Sequence, residues 1–224
     1  MNRVKASLLR GALAVVLGVT LVSCAAASAP SRHDVPHTGT EVAFYGDSYT
    51  VGTGASAPEK RWSTIISAER GWHEFNPSVN GLGFINNRRV FGDGDVPSQV
   101  IADDPDIVIV TLGLNDNFSY DGAADHIHAQ ITDDLHRIAT ALPSAHIIVV
   151  EPFWYTDERP ASVDVIDGWV HAAAVEIGAD WIPGASHWMD GHPEWRAADG
   201  LHPNDAGYAH IADQMDDALH GLGI

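Results

Sequence analysis

The chain has 224 residues, of which 45% are hydrophobic, enough for one globular domain with a filled core. Twelve Lys and Arg against 30 Asp and Glu give a formal charge of −18, so nucleic acid and other polyanions are poor partners. A single cysteine excludes an intrachain disulfide, and the domain must be stable through its core.

In chain order, Arg3, Lys5 and Arg10 form a basic start, followed by an apolar stretch of twelve residues from Gly11 to Val22. That stretch falls short of the about 20 residues that span a bilayer and has the make-up of a secretory signal, expected over 1–23. Leu21-Val22-Ser23-Cys24 resembles a bacterial lipobox, in which the cysteine is acylated and begins the mature chain. The expectation is a membrane lipoprotein anchored through Cys24, or a secreted protein if the signal is cut nearby at Ala27 or Ala29. Residues 24–40, rich in Ala, Ser, Pro, His and Thr, read as a flexible tether, and 41–224 as the domain.

Within the domain, Val42 to Tyr45, Asp106 to Leu112 and His146 to Glu151 are continuous apolar runs rich in β-branched residues. Such runs suit strands buried on both faces of a parallel sheet. Weaker strand signals lie at 73–79 and 179–183. Helix-compatible segments alternate with them at 60–70, 123–141, 161–177 and 205–219. Leu142-Pro143 and Gly178 read as helix ends, and Pro203-Asn204-Asp205 reads as a helix start. The alternation predicts a three-layer α/β/α sandwich around a mainly parallel sheet.

Gly46-Asp47-Ser48 follows the first strand, at the carboxyl edge where open α/β sheets bind ligands. A serine there needs a base before it can attack a carbonyl. His202, at the mouth of the last helix, has Asp199 three residues before it, a spacing that lets the carboxylate hold Nδ1 while Nε2 faces the serine. Asn80-Gly81-Leu82-Gly83 and Gly113-Leu114-Asn115-Asp116 lie between them. Each block alone reads as a turn or cap. The sequence around Ser48 is not the Gly-x-Ser-x-Gly elbow of α/β-hydrolases.

Taken in order, the four blocks resemble the SGNH (GDSL-like) hydrolase family. The resemblance implies a flavodoxin-like, five-stranded sheet and a serine ester hydrolase without cofactor or metal. It assigns Ser48 as nucleophile, His202 as base and Asp199 as its orienting partner. Oxyanion donors are then the N–H groups of Ser48 and Gly81 and the Asn115 amide, with Gly81 and Gly83 both open for the glycine. Acetyl or short acyl esters of glycans or lipids are the expected substrates. An acyltransferase with the same triad and a non-catalytic glycan-binding envelope protein are the alternatives.

Other candidates point elsewhere. His126 and His128 are two apart in a helix and face different sides. His187, Asp190 and His192 lack an evident further metal ligand. Phe153-Trp154-Tyr155, Trp188 and Trp195 are expected near the catalytic edge, either as core or as substrate lining.

Overall fold

The computed structural model describes residues 39–88 and 94–224. The expected signal, Cys24 and the tether up to residue 38 lie outside the described residues.

Five strands, β1 (Glu41–Gly46), β2 (His73–Phe75), β3 (Ile107–Thr111), β4 (His146–Val150) and β5 (Asp180–Ile182), form one all-parallel sheet in the order β2-β1-β3-β4-β5. That is the flavodoxin-like order, with its switch point between β1 and β3. The outer strands are shorter than their sequence signals because Asn76-Pro77 ends one and Pro183 the other.

The continuous apolar runs are explained by two cores. Val42, Phe44, Ile107, Ile109, Ile148 and Val150 face one layer, and their neighbours Ala43, Tyr45, Val108, Val110, Ile147 and Val149 face the other. Side chains alternate across a strand, so a sheet covered on both faces must be apolar at every position. Helices α2 (Trp62–Arg70) and α6 (Asp205–Leu222) pack together over the first face, and α3 (Val96–Asp103), α4 (Tyr120–Ala141) and α5 (Ala161–Ile177) supply the second core. On α4 the core stripe is Ile127, Ile131, Leu135 and Ile138, spaced three and four apart.

Helix ends follow their residue chemistry. Asn204 caps α6 by accepting the N–H groups of Ala206 and Gly207, and Gly178 closes α5 in the left-handed region at φ 70°. Two helices fall outside the expected segments. The four-residue α1 (Ser48–Val51) begins one residue after the first strand, and α3 is capped by Asp95, whose carboxylate accepts the Ser98 N–H, with Pro97 in its first turn.

Candidate active site

Gly46 is the last residue of β1, and a Cβ there would lie 2.3 Å from Thr50 Oγ1 and 2.4 Å from Thr111 Oγ1, so only glycine fits. Asp47 then leaves the strand with extended geometry and caps α1, its Oδ1 accepting the Tyr49 N–H at 2.9 Å. This turn fixes Ser48 in the first turn of α1 at the carboxyl edge, 6% exposed.

The loop before α6 carries the second group. Asp199 Oδ2 pairs with His202 Nδ1 at 2.7 Å, while Oδ1 accepts the N–H groups of Leu201 and His202 at 2.9 and 3.0 Å. These bonds, the one to the imidazole foremost, hold the Asp199 carboxyl down at about 2. With Nδ1 engaged, Nε2 is the ring nitrogen left for other partners.

Two tyrosines tie this loop and the helix that follows it to the serine turn. Tyr49, the residue after Ser48, donates its hydroxyl to Leu201 O at 2.7 Å, and its ring lies 6.0 Å from that of His202. Tyr208, on α6, donates to Thr53 O at 2.7 Å and to Ser48 O at 3.4 Å. Gly54 completes the seam: a Cβ there would stand 2.4 Å from Pro203 O and 3.1 Å from His202 Cβ. Among the described residues no hydrogen bond joins Ser48 Oγ to His202; the segments are clamped together through these neighbours.

Asn115 starts a 3-10 helix, Asn115–Ser119, beyond β3. Its amide donates to Asp47 Oδ2 at 3.1 Å and to Leu82 O at 2.9 Å, joining the serine turn to the glycine loop. That loop lies beside β1 because Val79 N–H donates to Gly46 O at 3.3 Å and Thr53 Oγ1 to Asn80 Oδ1 at 2.6 Å. Gly81 is in the left-handed region at φ 70°. Gly83 differs: its N–H donates to Asn86 O at 3.1 Å, and a Cβ on it would meet both Asp116 carboxylate oxygens at 2.6 Å.

Two carboxylates that the sequence reading gave no role organise the site. Asp116 accepts the N–H groups of Phe84 and Ile85 at 2.8 and 3.0 Å, and burial pushes its carboxyl up to about 6. Asp47 is 1% exposed, and burial, with the nearby Asp116 charge adding to it, pushes its carboxyl up to about 7 against the hydrogen bonds it accepts. Both sit next to an assigned residue, Ser48 or Asn115, which is the one sequence signal for them.

The remaining candidates have local partners. His128 stacks on Trp169 at 4.8 Å, and His187 pairs with Asp190, whose carboxylate takes both Arg159 Nη2 contacts at 2.7 and 2.9 Å. His192 pairs with Glu194 and stacks on Trp195 at 3.6 Å. Phe153 and Trp154 are buried, Phe153 stacked on Tyr49 at 5.5 Å and tilted against Trp188 at 5.9 Å.

Comparisons with known proteins bear on the family and the fold. The model of the GDSL-like lipase/acylhydrolase family matches residues 44–210, from β1 into α6. A GDSL lipase of Mycobacterium tuberculosis is 28% identical over 182 residues, covering 78% of this chain and 79% of its own. Among solved structures, the psychrotrophic esterase EstA from Pseudoalteromonas sp. has a TM-score of 0.63 at 17% identity, covering 82% of this chain and 98% of its own. A two-domain esterase active on acetylated mannans has a TM-score of 0.60 at 18% identity, covering 82% of this chain and 49% of its own. The chain belongs to the GDSL-like lipase/acylhydrolase family, and its chemistry is that of a carboxylic ester hydrolase.

Proposed function

We propose that this protein is an extracytoplasmic serine esterase, anchored to the cell membrane by an acylated Cys24, that hydrolyses acyl esters through Ser48, His202 and Asp199. The observation that carries the reading is the Asp199–His202 pair, its loop tied by Tyr49, and the following helix by Tyr208, to the turn that holds Ser48.

In the first half-reaction Ser48 Oγ attacks the ester carbonyl carbon, and its proton passes to His202 Nε2. The ionised Asp199 fixes the tautomer and stabilises the imidazolium. The oxyanion is held by the N–H groups of Ser48 and Gly81 and by the Asn115 amide. Gly81 is preferred over Gly83, whose N–H is taken by Asn86 O. The full charge of the oxyanion competes with Leu82 O for the Asn115 amide. Collapse breaks the ester C–O bond, and the alcohol leaves with the proton from His202. Water then attacks the acyl-Ser48 carbonyl, again through His202, and releases the acid. Acetylated or short-acylated glycans and lipids of the cell envelope fit this location, and an esterase active on acetylated mannans shares the fold.

Among the described residues no helix is long and apolar enough to cross a membrane. Hydrolysis of p-nitrophenyl acetate tests the chemistry: Ser48→Ala and His202→Ala are expected to lower kcat about 10⁴-fold or more. Turnover that survives both substitutions would overturn the assignment. An acyltransferase keeps the same residues with a sugar hydroxyl in place of water, and would be recognised by acylated glycan among the products.

A further inference from the structure

Phe118 stands 60% exposed in the 3-10 helix Asn115–Ser119. A lone exposed apolar residue needs no explanation, but this one is neither loose nor remote. Its neighbours on both sides are fastened: Ser162 Oγ donates to Asn117 Oδ1 at 2.5 Å, and Ser119 Oγ donates to Asn86 Oδ1 at 2.8 Å. Asn86 in turn donates its amide to Asn115 O. The ring is therefore held out to solvent by an anchored turn.

Its direction follows from helix geometry. A 3-10 helix has about three residues per turn and rises about 2 Å per residue, so side chains at i and i+3 eclipse. Phe118 projects on the same side as Asn115, one turn or about 6 Å further along. The Asn115 amide reaches the Asp47 carboxylate, beside Ser48.

Two further aromatic side chains back the ring. Trp154 lies 6.4 Å from Phe118, and Tyr155 lies 4.7 Å from Trp154. The indole N–H is already given to Thr156 Oγ1 at 2.9 Å and Glu158 O at 3.2 Å, and phenylalanine has no polar atom. Trp154 is buried and backs the exposed Phe118 ring, which thus offers hydrocarbon contact and no hydrogen bond for a hydroxyl.

We propose that Phe118, backed by Trp154 and Tyr155, binds a hydrocarbon portion of the ester beside the scissile carbonyl, and so sets a preference for a longer chain on one side of the ester bond. This rests on the serine esterase reading above, and it refines the acetyl-or-short-acyl class to esters with an alkyl or aryl arm. The hydrocarbon could belong to the acid or to the alcohol.

The test measures kcat/KM on the full chain in two series: p-nitrophenyl acetate, butyrate and hexanoate, and methyl, butyl and hexyl acetates. The unmodified protein is expected to gain about two- to fourfold per methylene along one of them. Phe118→Ala should cut the hexanoate-to-acetate or hexyl-to-methyl ratio about tenfold or more, and Phe118→Leu should keep most of it. The series that responds identifies the arm. Ratios that do not change in Phe118→Ala would overturn the proposal even with Ser48-dependent turnover intact. Calorimetric binding of p-nitrophenyl hexanoate to Ser48→Ala protein separates the two readings: affinity that depends on Phe118, with no turnover by the unmodified protein, would retain the platform and remove the esterase mechanism. Binding that is independent of Phe118 would remove the platform.

Discussion

Asp47 joins the two halves of the site at the scale of one side chain, with Oδ1 on the Tyr49 N–H and Oδ2 on the Asn115 amide. Its carboxyl, raised from 3.8 to about 7 by burial, makes the fold pH-sensitive in a defined direction. The folded state holds this proton more tightly than the unfolded chain, so the contribution to stability is full below pH 4 and is lost as pH rises towards 7. The size is at most about 4 kcal/mol. Asp47→Asn is expected to raise the urea midpoint at pH 7.5 relative to its value at pH 4.5, compared with the parent; an unchanged difference would show that Asp47 is ionised throughout. Asp199 runs the other way. Held at about 2 by His202, it stays ionised through the working range, and Asp199→Asn should lower kcat about 10²–10⁴-fold through the wrong imidazole tautomer. In the proposed mechanism Asn115→Ala removes an oxyanion donor and should cost about 10²–10³ in kcat, with a smaller change in KM. These side chains were legible to different degrees. Ser48, Asn115, Asp199 and His202 are marked by their blocks, whereas Asp47 and Asp116 also act through partners 30 or more residues away, Asn115 and Phe84 among them, which one sequence does not pair.

Individual elements show the same division. The three central strands are legible because burial on both faces demands an unbroken apolar run, and each neighbour in β1, β3 and β4 serves a different core. The four-residue α1 is too short to show a periodicity, and α3 is recognisable only by its Asp95 cap and Pro97. Asn204 links an element to the site: its Oδ1 caps α6, and its Nδ2 donates to Glu194 O at 2.7 Å and Arg196 O at 3.1 Å, just before Asp199. Asn204→Ala is expected to cost about 0.5–2 kcal/mol by denaturant unfolding and to lower kcat as well, since the same side chain braces the His202 loop. A loss of stability with kcat unchanged would confine Asn204 to capping. On α4, Leu135→Ala should cost about 2–5 kcal/mol, because Leu135 is wholly buried in the central stripe.

For the whole molecule, an acidic chain of formal charge −18 carries its candidate site residues at one sheet edge, after β1, β3 and in the loop before α6. The order of these blocks was readable because a parallel sheet delivers every strand's carboxyl end to the same side. The proposed preference for Gly81 over Gly83 was not, since it depends on which N–H the loop itself uses. Location is a separate property of the same chain. Cys24→Ala should release the protein from membranes with its activity on a soluble ester intact, as fractionation would record; retention on the membrane would contradict the anchor.

The most direct measurement of the central claim is the mass spectrum of the protein quenched during turnover of p-nitrophenyl butyrate. The account predicts a population heavier by one butyryl group, carried on the peptide that contains Ser48 and absent from Ser48→Ala. A butyryl group on another residue, or turnover by Ser48→Ala at the parent rate, would contradict it.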